Sequence, residues 1–317
     1  MFEITPAGAA PYLAARGLPE PRAVTELGGG VSNTVLLIEL PESRIILKQA
    51  LHKLRVEQDW FSDRGRIFRE SAALRRLAPH LPPGSVPEVL FEDRDNFAFA
   101  MTAARPEAET WKAQLMRGEA NPEIAAAIGE LLAAIIRTTW RGCEWETRFG
   151  DQTVFDQLRL DPYYRSTARA HPDLADRFDN LMRESASRRV ALVHGDWSPK
   201  NFLVAGGSVM AIDFEVVHFG DPAFDVAFLL NHLALKSFLH RPYKPRYQEA
   251  AARFLAPLPS WLEPAAMPHL AALMLARVDG KSPVEYLPSG PRAEVRQTAR
   301  GLILDPASTV QEAFARI

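Results

Sequence analysis

Apolar and polar residues follow two different periods along this chain. Up to residue 104, short apolar stretches alternate with polar positions, which is typical of strands that bury one face. The predicted strands are Arg22–Leu27, Thr34–Leu40, Arg44–Gln49, Val86–Phe91 and Phe97–Thr102. Between the third and the fourth strand, Asp63–Leu77 carries Ile67, Ala73 and Leu74 on one side and predicts a helix. This part of the chain therefore predicts a small antiparallel sheet with one main helix.

After residue 104 the apolar positions recur every three or four residues. In Pro122–Thr138, Ile124, Ile128, Leu131 and Ile135 form the apolar stripe of a helix that packs on a core. Further predicted helices are Thr110–Arg117, Asp173–Ser187, Pro222–Phe238, Arg246–Phe254, Pro264–Val278 and Arg292–Leu304. The sequence thus predicts an α+β fold with two lobes, a sheet-containing lobe at residues 1–104 and a larger, mainly helical lobe at residues 105–317.

The composition narrows the class of protein. A chain of 317 residues with 47% hydrophobic and 24% charged residues is long enough to bury a sizeable core. Its net charge of −2 gives no electrostatic reason to expect a nucleic acid or an anionic membrane surface as partner. Cys143 is the single cysteine, which excludes an intramolecular disulfide and a cysteine-based zinc site. The N-terminal residues lack the basic and apolar regions of a signal peptide, so we expect a cytoplasmic enzyme.

The candidate chemistry is concentrated between residues 190 and 225. The apolar run Val190–Val193 leads to Asp196, and Asn201 follows five residues later. A second apolar run leads to Asp213, with Glu215 two residues beyond it. Phosphoryl transfer needs such a set, because one carboxylate orients the attacking hydroxyl while an Asn and an Asp hold Mg²⁺. We predict Asp196 as the catalytic residue and Asn201 and Asp213 as metal ligands; Glu215 is a candidate for a second metal or a water-mediated contact.

The spacing within this stretch resembles a known family. The order H-x-D-x-x-x-x-N followed by D-F-x is similar to the catalytic and metal loops of protein-kinase-like enzymes. HGD at residues 194–196 and DFE at residues 213–215 indicate the small-molecule branch, which includes relatives of aminoglycoside phosphotransferase, choline kinase and methylthioribose kinase. The resemblance implies a bilobal protein-kinase-like fold, with ATP and Mg²⁺ bound in the cleft between the lobes.

The same resemblance assigns roles in the first lobe. Lys48, on the third strand, is expected to bind the α- and β-phosphates and to pair with Glu70 from the following helix. The adenine is expected beside the crossover near Met101. The glycine-rich turn between the first two strands can turn its N–H groups toward phosphate oxygens, or it can be a flexible hairpin turn. Its candidate nucleotide contacts are Gly28, Gly29, Gly30, Ser32 and Asn33.

Longer segments are similar to methylthioribose kinase, namely RIILKQA at residues 44–50, the segment at residues 66–90 and FGDPAFD at residues 219–225. In that family, C-terminal arginines contact the sugar, which makes Arg277 a candidate acceptor-site residue; a cation in the last turn of a helix is the alternative. Trp197, directly after Asp196, either walls the acceptor site or packs in the core. Asp225 is expected to brace the catalytic loop, and His194 to fix it through hydrogen bonds.

These observations predict an ATP- and Mg²⁺-dependent kinase for a hydroxyl group of a small molecule, a sugar such as a methylthioribose-like pentose. Aminoglycoside, macrolide and choline kinases are the alternatives. Residues 241–317 hold 10 Lys and Arg against 7 Asp and Glu, so the acidic excess that would suit an aminoglycoside is not visible there. A non-enzymatic alternative is a nucleotide-binding pseudokinase with a regulatory or scaffolding role. The presence of all the catalytic carboxylates and of Lys48 weighs against this hypothesis.

Overall fold

The computed structural model describes residues 3–28, 33–51 and 64–317. The chain divides into two compact units, Met1–Ala108 and Glu109–Ile317. The predicted lobe boundary, after residue 104, lies four residues before this division.

The first unit is built on a five-stranded antiparallel sheet with the order β1-β2-β3-β5-β4. Its strands are β1 (Ala23–Glu26), β2 (Asn33–Glu39), β3 (Arg44–Ala50), β4 (Val89–Asp93) and β5 (Ala98–Thr102). Its helices are α1 (Ala9–Ala14), α2 (Arg66–Leu77) and a 3₁₀ turn at Ala78–His80. Each predicted strand therefore has an observed counterpart. The predicted helix is observed from Arg66, after a turn at Arg64 and Gly65, whereas Asp63 lies outside the described residues.

The two faces of this sheet serve different purposes. Successive residues of a strand point to opposite faces, so Ile45 and Leu47 of β3 share the face that packs on Leu13 of α1 in one apolar core. Lys48, one residue further, consequently points to the other face, where α2 contacts β3, β4 and β5. The period of β3 thus carries a lysine toward the helix that carries Glu70.

The second unit is mainly helical. Its helices are α3 (Trp111–Met116), α4 (Pro122–Thr139), α5 (Cys143–Phe149), α6 (Thr153–Phe155), α7 (Ser166–Ala170), α8 (Ala175–Ser187), α9 (Ala223–Leu239), α10 (Lys244–Leu255), α11 (Leu262–Asp279), α12 (Ser289–Leu304) and α13 (Val310–Ala315). A π-helix spans Asp156–Arg165, and 3₁₀ turns span Pro172–Leu174, Pro199–Asn201 and Arg241–Tyr243. The central helix α9 is buried on almost every side and packs against α10, α11 and α12.

Two short β-ribbons position the polar stretch that the sequence singled out. β7 (Ala191–Val193) pairs antiparallel with β10 (His218–Gly220), and β8 (Phe202–Ala205) pairs with both β6 (Glu109–Thr110) and β9 (Ser208–Ala211). The loop after β7 and the loop after β9 carry the acidic residues. Among the helices of the described residues, none combines the length and the apolar character that crossing a membrane requires.

Candidate active site

In the first unit, Lys48 and Glu70 form a buried ion pair. Nζ of Lys48 donates to Oε2 of Glu70 at 2.6 Å, and the side chains are 5% and 0% exposed. The pairing predicted from the sequence is therefore observed. A buried ammonium and carboxylate stay charged only when they are matched in this way, so the pair fixes the position of the lysine on the sheet.

The other predicted nucleotide contacts of this unit lie on or next to the same strands. Asn33 is buried at the start of β2, and Met101 is buried in β5 opposite Ile46 of β3. Gly28 is exposed after β1. Gly29, Gly30 and Ser32 lie outside the described residues, so the shape of the glycine-rich turn stays a prediction.

In the second unit, Asp196 lies in the loop after β7 and is only 4% exposed. Its Oδ2 is 2.9 Å from Nζ of Lys200 and 3.1 Å from Nη2 of Arg159. Burial alone would raise the pKa of Asp196, but the two cations outweigh it and hold the pKa well below its usual range. Asp196 is therefore an ionised carboxylate in an otherwise buried position.

Backbone hydrogen bonds fix the loop that carries Asp196. The N–H groups of His194 and Gly195 donate to the two carboxylate oxygens of Asp225 at 2.6 and 2.8 Å. Gly195 has φ +79°, and a Cβ there would lie 2.9–3.0 Å from Val216, so this position needs glycine. Asp225 braces the loop as the sequence predicted. Burial raises its pKa to about 7, against the two N–H groups that favour the anion.

His194 supports the loop as a neutral imidazole. Its Nδ1 accepts the N–H of Asp196 at 3.1 Å, so Nε2 carries the proton that is donated to the carbonyl of Ile212 at 3.1 Å. Burial lowers the pKa of His194 to about 4, although Asp196 and Asp213 favour the cation. The histidine thereby links the loop after β7 to the loop after β9.

The structure brings Asn201 next to the loop that holds Asp213. The N–H of Ile212 donates to the carbonyl of Asn201 at 3.0 Å, and Nδ2 of Asn201 donates to the carbonyl of Asp196 at 2.9 Å. Asp213 has φ +68°, a left-handed conformation that is uncommon outside glycine and that clusters at functional sites. Asp213 and Glu215 are both half-buried.

The chemistry of these side chains suits a hard cation. The amide nitrogen of Asn201 is used by the loop, so its side-chain oxygen is the atom that could bind a cation, and the Asp213 and Glu215 carboxylates are further oxygen ligands on the neighbouring loop. Oxygen donors are what Mg²⁺ prefers, and substrate phosphates and waters supply much of its coordination. Three or more His, Cys, Asp or Glu side chains do not converge anywhere in the described residues, so an all-protein metal cage is not found there.

Two predicted acceptor contacts lie at different depths. Trp197 is fully buried and packs edge-on against His194 and Phe202, with ring centroids 5.3 and 4.8 Å away, so its observed contacts are those of a core residue. Arg277 is half-buried in the last turn of α11, where Nη1 donates to the hydroxyls of Tyr163 and Ser282 at 3.2 and 3.0 Å.

Arg159 and Lys200 are neighbours of Asp196 that the sequence analysis did not identify. In addition to its contact with Asp196, Arg159 donates from Nε to the carbonyl of Gly195 at 2.6 Å. Although burial disfavours the cation, Asp196, Tyr163, Glu215 and Asp213 raise the pKa of Arg159. Its segment, the π-helix at Asp156–Arg165, contains Pro162 and lacks a regular apolar stripe, so the pattern gave no reason to place it beside the loop.

The comparison with known families agrees with this geometry. Residues 23–266 match the model of the phosphotransferase enzyme family, known as APH, and the chain belongs to that family. Among its relatives, the methylthioribose kinase of Escherichia coli O45:K1 (strain S88) is 28% identical over 250 residues, which are 70% of this chain and 59% of the relative. Methylthioribose kinase 2 of Oryza sativa subsp. japonica is 26% identical over 260 residues, covering 73% and 61% of the two chains. The chain thus spans about three fifths of the length of these relatives, and the resemblance inferred from the motifs is confirmed.

Solved structures confirm the fold. An amicoumacin kinase in complex with AMP-PNP and Ca²⁺ superposes with a TM-score of 0.63 at 18% identity, covering 95% of this chain and 94% of the other. A choline/ethanolamine kinase family protein from Mesorhizobium loti gives a TM-score of 0.53 at 17% identity, covering 99% of each chain. The predicted α+β protein-kinase-like fold, with an antiparallel-sheet N-lobe and a larger helical C-lobe, is correct.

Proposed function

We propose that this protein is an ATP- and Mg²⁺-dependent phosphotransferase that phosphorylates a hydroxyl group of a small molecule. The observation that carries the proposal is the environment of Asp196, a buried carboxylate kept ionised by Arg159 and Lys200. Membership of the phosphotransferase enzyme family supports the reaction type. In the described residues, both cations contact Oδ2, so Oδ1 is the oxygen that receives the acceptor hydroxyl.

The reaction makes modest demands on Asp196. The acceptor oxygen forms a bond to the γ-phosphorus of ATP while the bond to the bridging oxygen breaks, and ADP leaves with that electron pair. The hydroxyl proton passes to Asp196 and then to solvent. Because phosphoryl transfer proceeds through a loose transition state, orientation of the hydroxyl matters more than the strength of the base. A carboxylate whose pKa is well below its usual range can therefore fulfil this role.

The remaining predicted residues would bind the nucleotide and the metal. Asn201 and Asp213, with Glu215 as a further candidate, would hold Mg²⁺, which neutralises phosphate charge when it is bound. Lys48, fixed by Glu70, would bind the α- and β-phosphates, and residues around the glycine-rich turn and Met101 would contact the rest of ATP. The spacing of the motifs supports these assignments, and Lys48, Asn201 and Met101 are buried.

A sugar such as a methylthioribose-like pentose is the acceptor that we propose. The methylthioribose kinases among the relatives support this class, although the chain spans only about three fifths of their length. Solved structures of kinases for other acceptors share the fold alone, at identities of 18% and below.

A coupled ADP-release assay with Mg·ATP tests the proposal. The acceptor panel contains methylthioribose, other pentoses, choline, aminoglycosides and macrolides, and Asp196→Asn serves as the blank. We expect acceptor-dependent turnover with one class of compound, reduced at least about 100-fold in Asp196→Asn, because the amide cannot take the hydroxyl proton. ATP binding without transfer to any acceptor of this panel would point to a pseudokinase or to an acceptor outside the panel, and failure to bind ATP would overturn the kinase and its nucleotide site together.

A further inference from the structure

Lys236 is a buried lysine in the middle of the second unit. It lies on α9 one and two turns after His232 and Phe228, and this spacing of four residues places the three side chains in one row. Lys236 is 0% exposed, and its Nζ is 5.0 Å from the centre of the Tyr286 ring. Nζ of Lys236 donates a long hydrogen bond, 3.5 Å, to the carbonyl of His232.

The charged surroundings of Lys236 are positive. Within residues 3–28, 33–51 and 64–317, no carboxylate lies within ion-pair distance of its ammonium. Burial lowers the pKa of Lys236 to about 7, and the neighbouring cations Lys112 and Arg277 add to that effect. A desolvated ammonium is costly unless an anion or several hydrogen bonds compensate it. This position is therefore one at which a negative group would be stabilised.

Within the described residues, several buried polar atoms near Lys236, and those of Asn231 next to His232 in the chain, have no hydrogen-bond partner. In the part of the chain that the structure describes, no hydrogen bond reaches Nδ2 or Oδ1 of Asn231, Nδ1 of His232, Nε of Arg277 or Oη of Tyr286. Asn231 itself is 0% exposed. Native proteins satisfy nearly all buried polar groups, so a concentration of unsatisfied donors and acceptors beside a buried cation points to a polar ligand.

This group of residues, Asn231, His232, Lys236, Arg277 and Tyr286, is continuous with the catalytic loop. Arg277 donates to Tyr163, and the guanidinium of Arg159 lies 6.0 Å from the centre of the Tyr163 ring while its Nη2 contacts Asp196. His232 lies within electrostatic range of both Lys236 and Asp196. Burial, Lys236 and Arg277 lower the pKa of His232, whereas Asp196 favours its cation. A chain of side-chain contacts thus leads from Asp196 through Arg159 and Tyr163 to Arg277, next to Lys236.

We propose that the acceptor phosphorylated at Asp196 carries an anionic group, a carboxylate or a phosphate, that Lys236 and Arg277 bind, while Asn231 and Tyr286 bind its other polar atoms. The inference rests on the proposed phosphotransferase function and narrows its acceptor: among sugars and other hydroxylated compounds, it favours one that carries an anionic group over a neutral pentose such as methylthioribose. A cationic acceptor such as an aminoglycoside or choline would add a positive charge to this group and is disfavoured.

Paired acceptors that differ in charge test this assignment. ADP release is measured with ribose against ribose 5-phosphate and with glycerol against glycerate, in the wild type and in Lys236→Met. We expect the anionic member of one pair to have the lower KM, and Lys236→Met to raise that KM at least about 10-fold with a smaller change in kcat. Methionine matches the lysine stem in length, and Lys244→Met is the control, because it removes a lysine of the same unit that donates to the C-terminal carbonyl of Ile317.

A second variant and a binding measurement test the anion site independently of kinase activity. Tyr286→Phe removes only a hydroxyl that has no hydrogen-bond partner among the described residues, and it is expected to raise the same KM without loss of thermal stability. Calorimetric titration of inorganic phosphate and of glycerate measures anion binding without turnover. If the enzyme prefers ribose 5-phosphate, the anionic group of the acceptor is a phosphate; if it prefers glycerate, the group is a carboxylate.

The two ideas can fail independently. Equal use of neutral and anionic acceptors, unchanged in Lys236→Met, would overturn the anionic acceptor while the kinase stands. Absence of transfer with every acceptor would contradict the kinase; in that case, anion binding that disappears in Lys236→Met supports the anion site, and no binding overturns it.

Discussion

Nη2 of Arg159 lies 3.1 Å from Oδ2 of Asp196, so a residue 37 positions earlier in the chain holds the proposed catalytic carboxylate. The contact joins the π-helix to the loop after β7. The Arg159 side chain is only 12% exposed, and together with Lys200 its cation lowers the pKa of Asp196; we therefore expect Arg159 to act as a positioning residue.

Arg159→Met should reduce kcat by about 10- to 100-fold, because small displacements of a catalytic group lower the rate by such factors. Loss of the cation also raises the pKa of Asp196. Since Asp196 acts as a carboxylate, the acid limb of the pH profile of kcat/KM should move to higher pH. Both effects are measured by ADP release between pH 4 and 8.

Arg165→Met is the matched control for Arg159→Met. Arg165 belongs to the same π-helix but pairs with Asp156 at 2.7–2.9 Å on the partly exposed side. The Arg165→Met substitution should leave both kcat and the acid limb of the kcat/KM profile unchanged. A fully active Arg159→Met enzyme with an unmoved acid limb would show that Lys200 alone suffices to hold Asp196.

Where local spacing decides, the positions of the candidate residues in the fold could be predicted from the sequence, while their roles stay predictions. Asp196, Asn201 and Asp213 follow short apolar runs at fixed distances, and Lys48 is placed by the alternation of β3. The boundaries of regular helices were also close; the predicted Pro122–Thr138 is observed as Pro122–Thr139. In these segments the local pattern and the tertiary contacts agree.

Arg159 and Lys236 could not be placed in this way, because their roles depend on contacts between distant segments. Arg159 belongs to a π-helix, whose wider turns shift side chains relative to the α-helical period. Lys236 and Asn231 lie in α9, a helix that is apolar on almost every side. A signal was present, since polar residues in such a helix must find a partner, but the sequence does not show which partner.

Lys48→Met should lower the free energy of unfolding by about 3–5 kcal/mol, because it removes the ammonium that compensates the buried carboxylate of Glu70. It should also abolish most phosphotransfer. Urea unfolding and ADP release measure the two effects separately.

The double variant Lys48→Met/Glu70→Leu separates stability from function. With both charges replaced by apolar groups, most of the stability should return while activity stays low. A double variant as unstable as Lys48→Met would mean that the pair is not the source of the loss. Unchanged turnover in Lys48→Met would remove the lysine from the nucleotide site.

Asn231→Leu should raise the free energy of unfolding by about 1–2 kcal/mol while weakening acceptor binding. Both amide atoms of Asn231 are buried, and no hydrogen bond reaches them in the described residues, so an apolar side chain of similar size removes a desolvation cost. Urea unfolding checks the first effect and the acceptor KM the second.

Ser237→Ala controls for the loss of a buried polar group from the same helix. The Ser237 hydroxyl donates to the carbonyl of Leu233 at 3.0 Å, so its removal should be neutral or slightly destabilising. If Asn231→Leu destabilised the protein by more than Ser237→Ala does, the amide would have a structural role and the polar ligand would lose one of its supports.

His269 should make the protein less stable in acid. Its ring is buried against Tyr164, whose hydroxyl lies 2.7 Å from Nδ1, and burial lowers its pKa to about 3. Between that value and the unfolded pKa of about 6.5, the unfolded chain binds a proton that the folded protein excludes. The contribution of His269 to stability is therefore present above pH 6.5 and is lost as the pH falls, by about 1.4 kcal/mol per pH unit.

Urea unfolding of the wild type and of His269→Gln from pH 7.5 to 4.5 measures this loss. The stability advantage of the wild type should shrink at that rate as the pH falls, because glutamine does not titrate. His80→Gln, at an exposed histidine, is the control and should follow the wild type throughout. A difference between wild type and His269→Gln that is constant with pH would show that His269 takes up a proton as readily in the folded protein as in the unfolded chain.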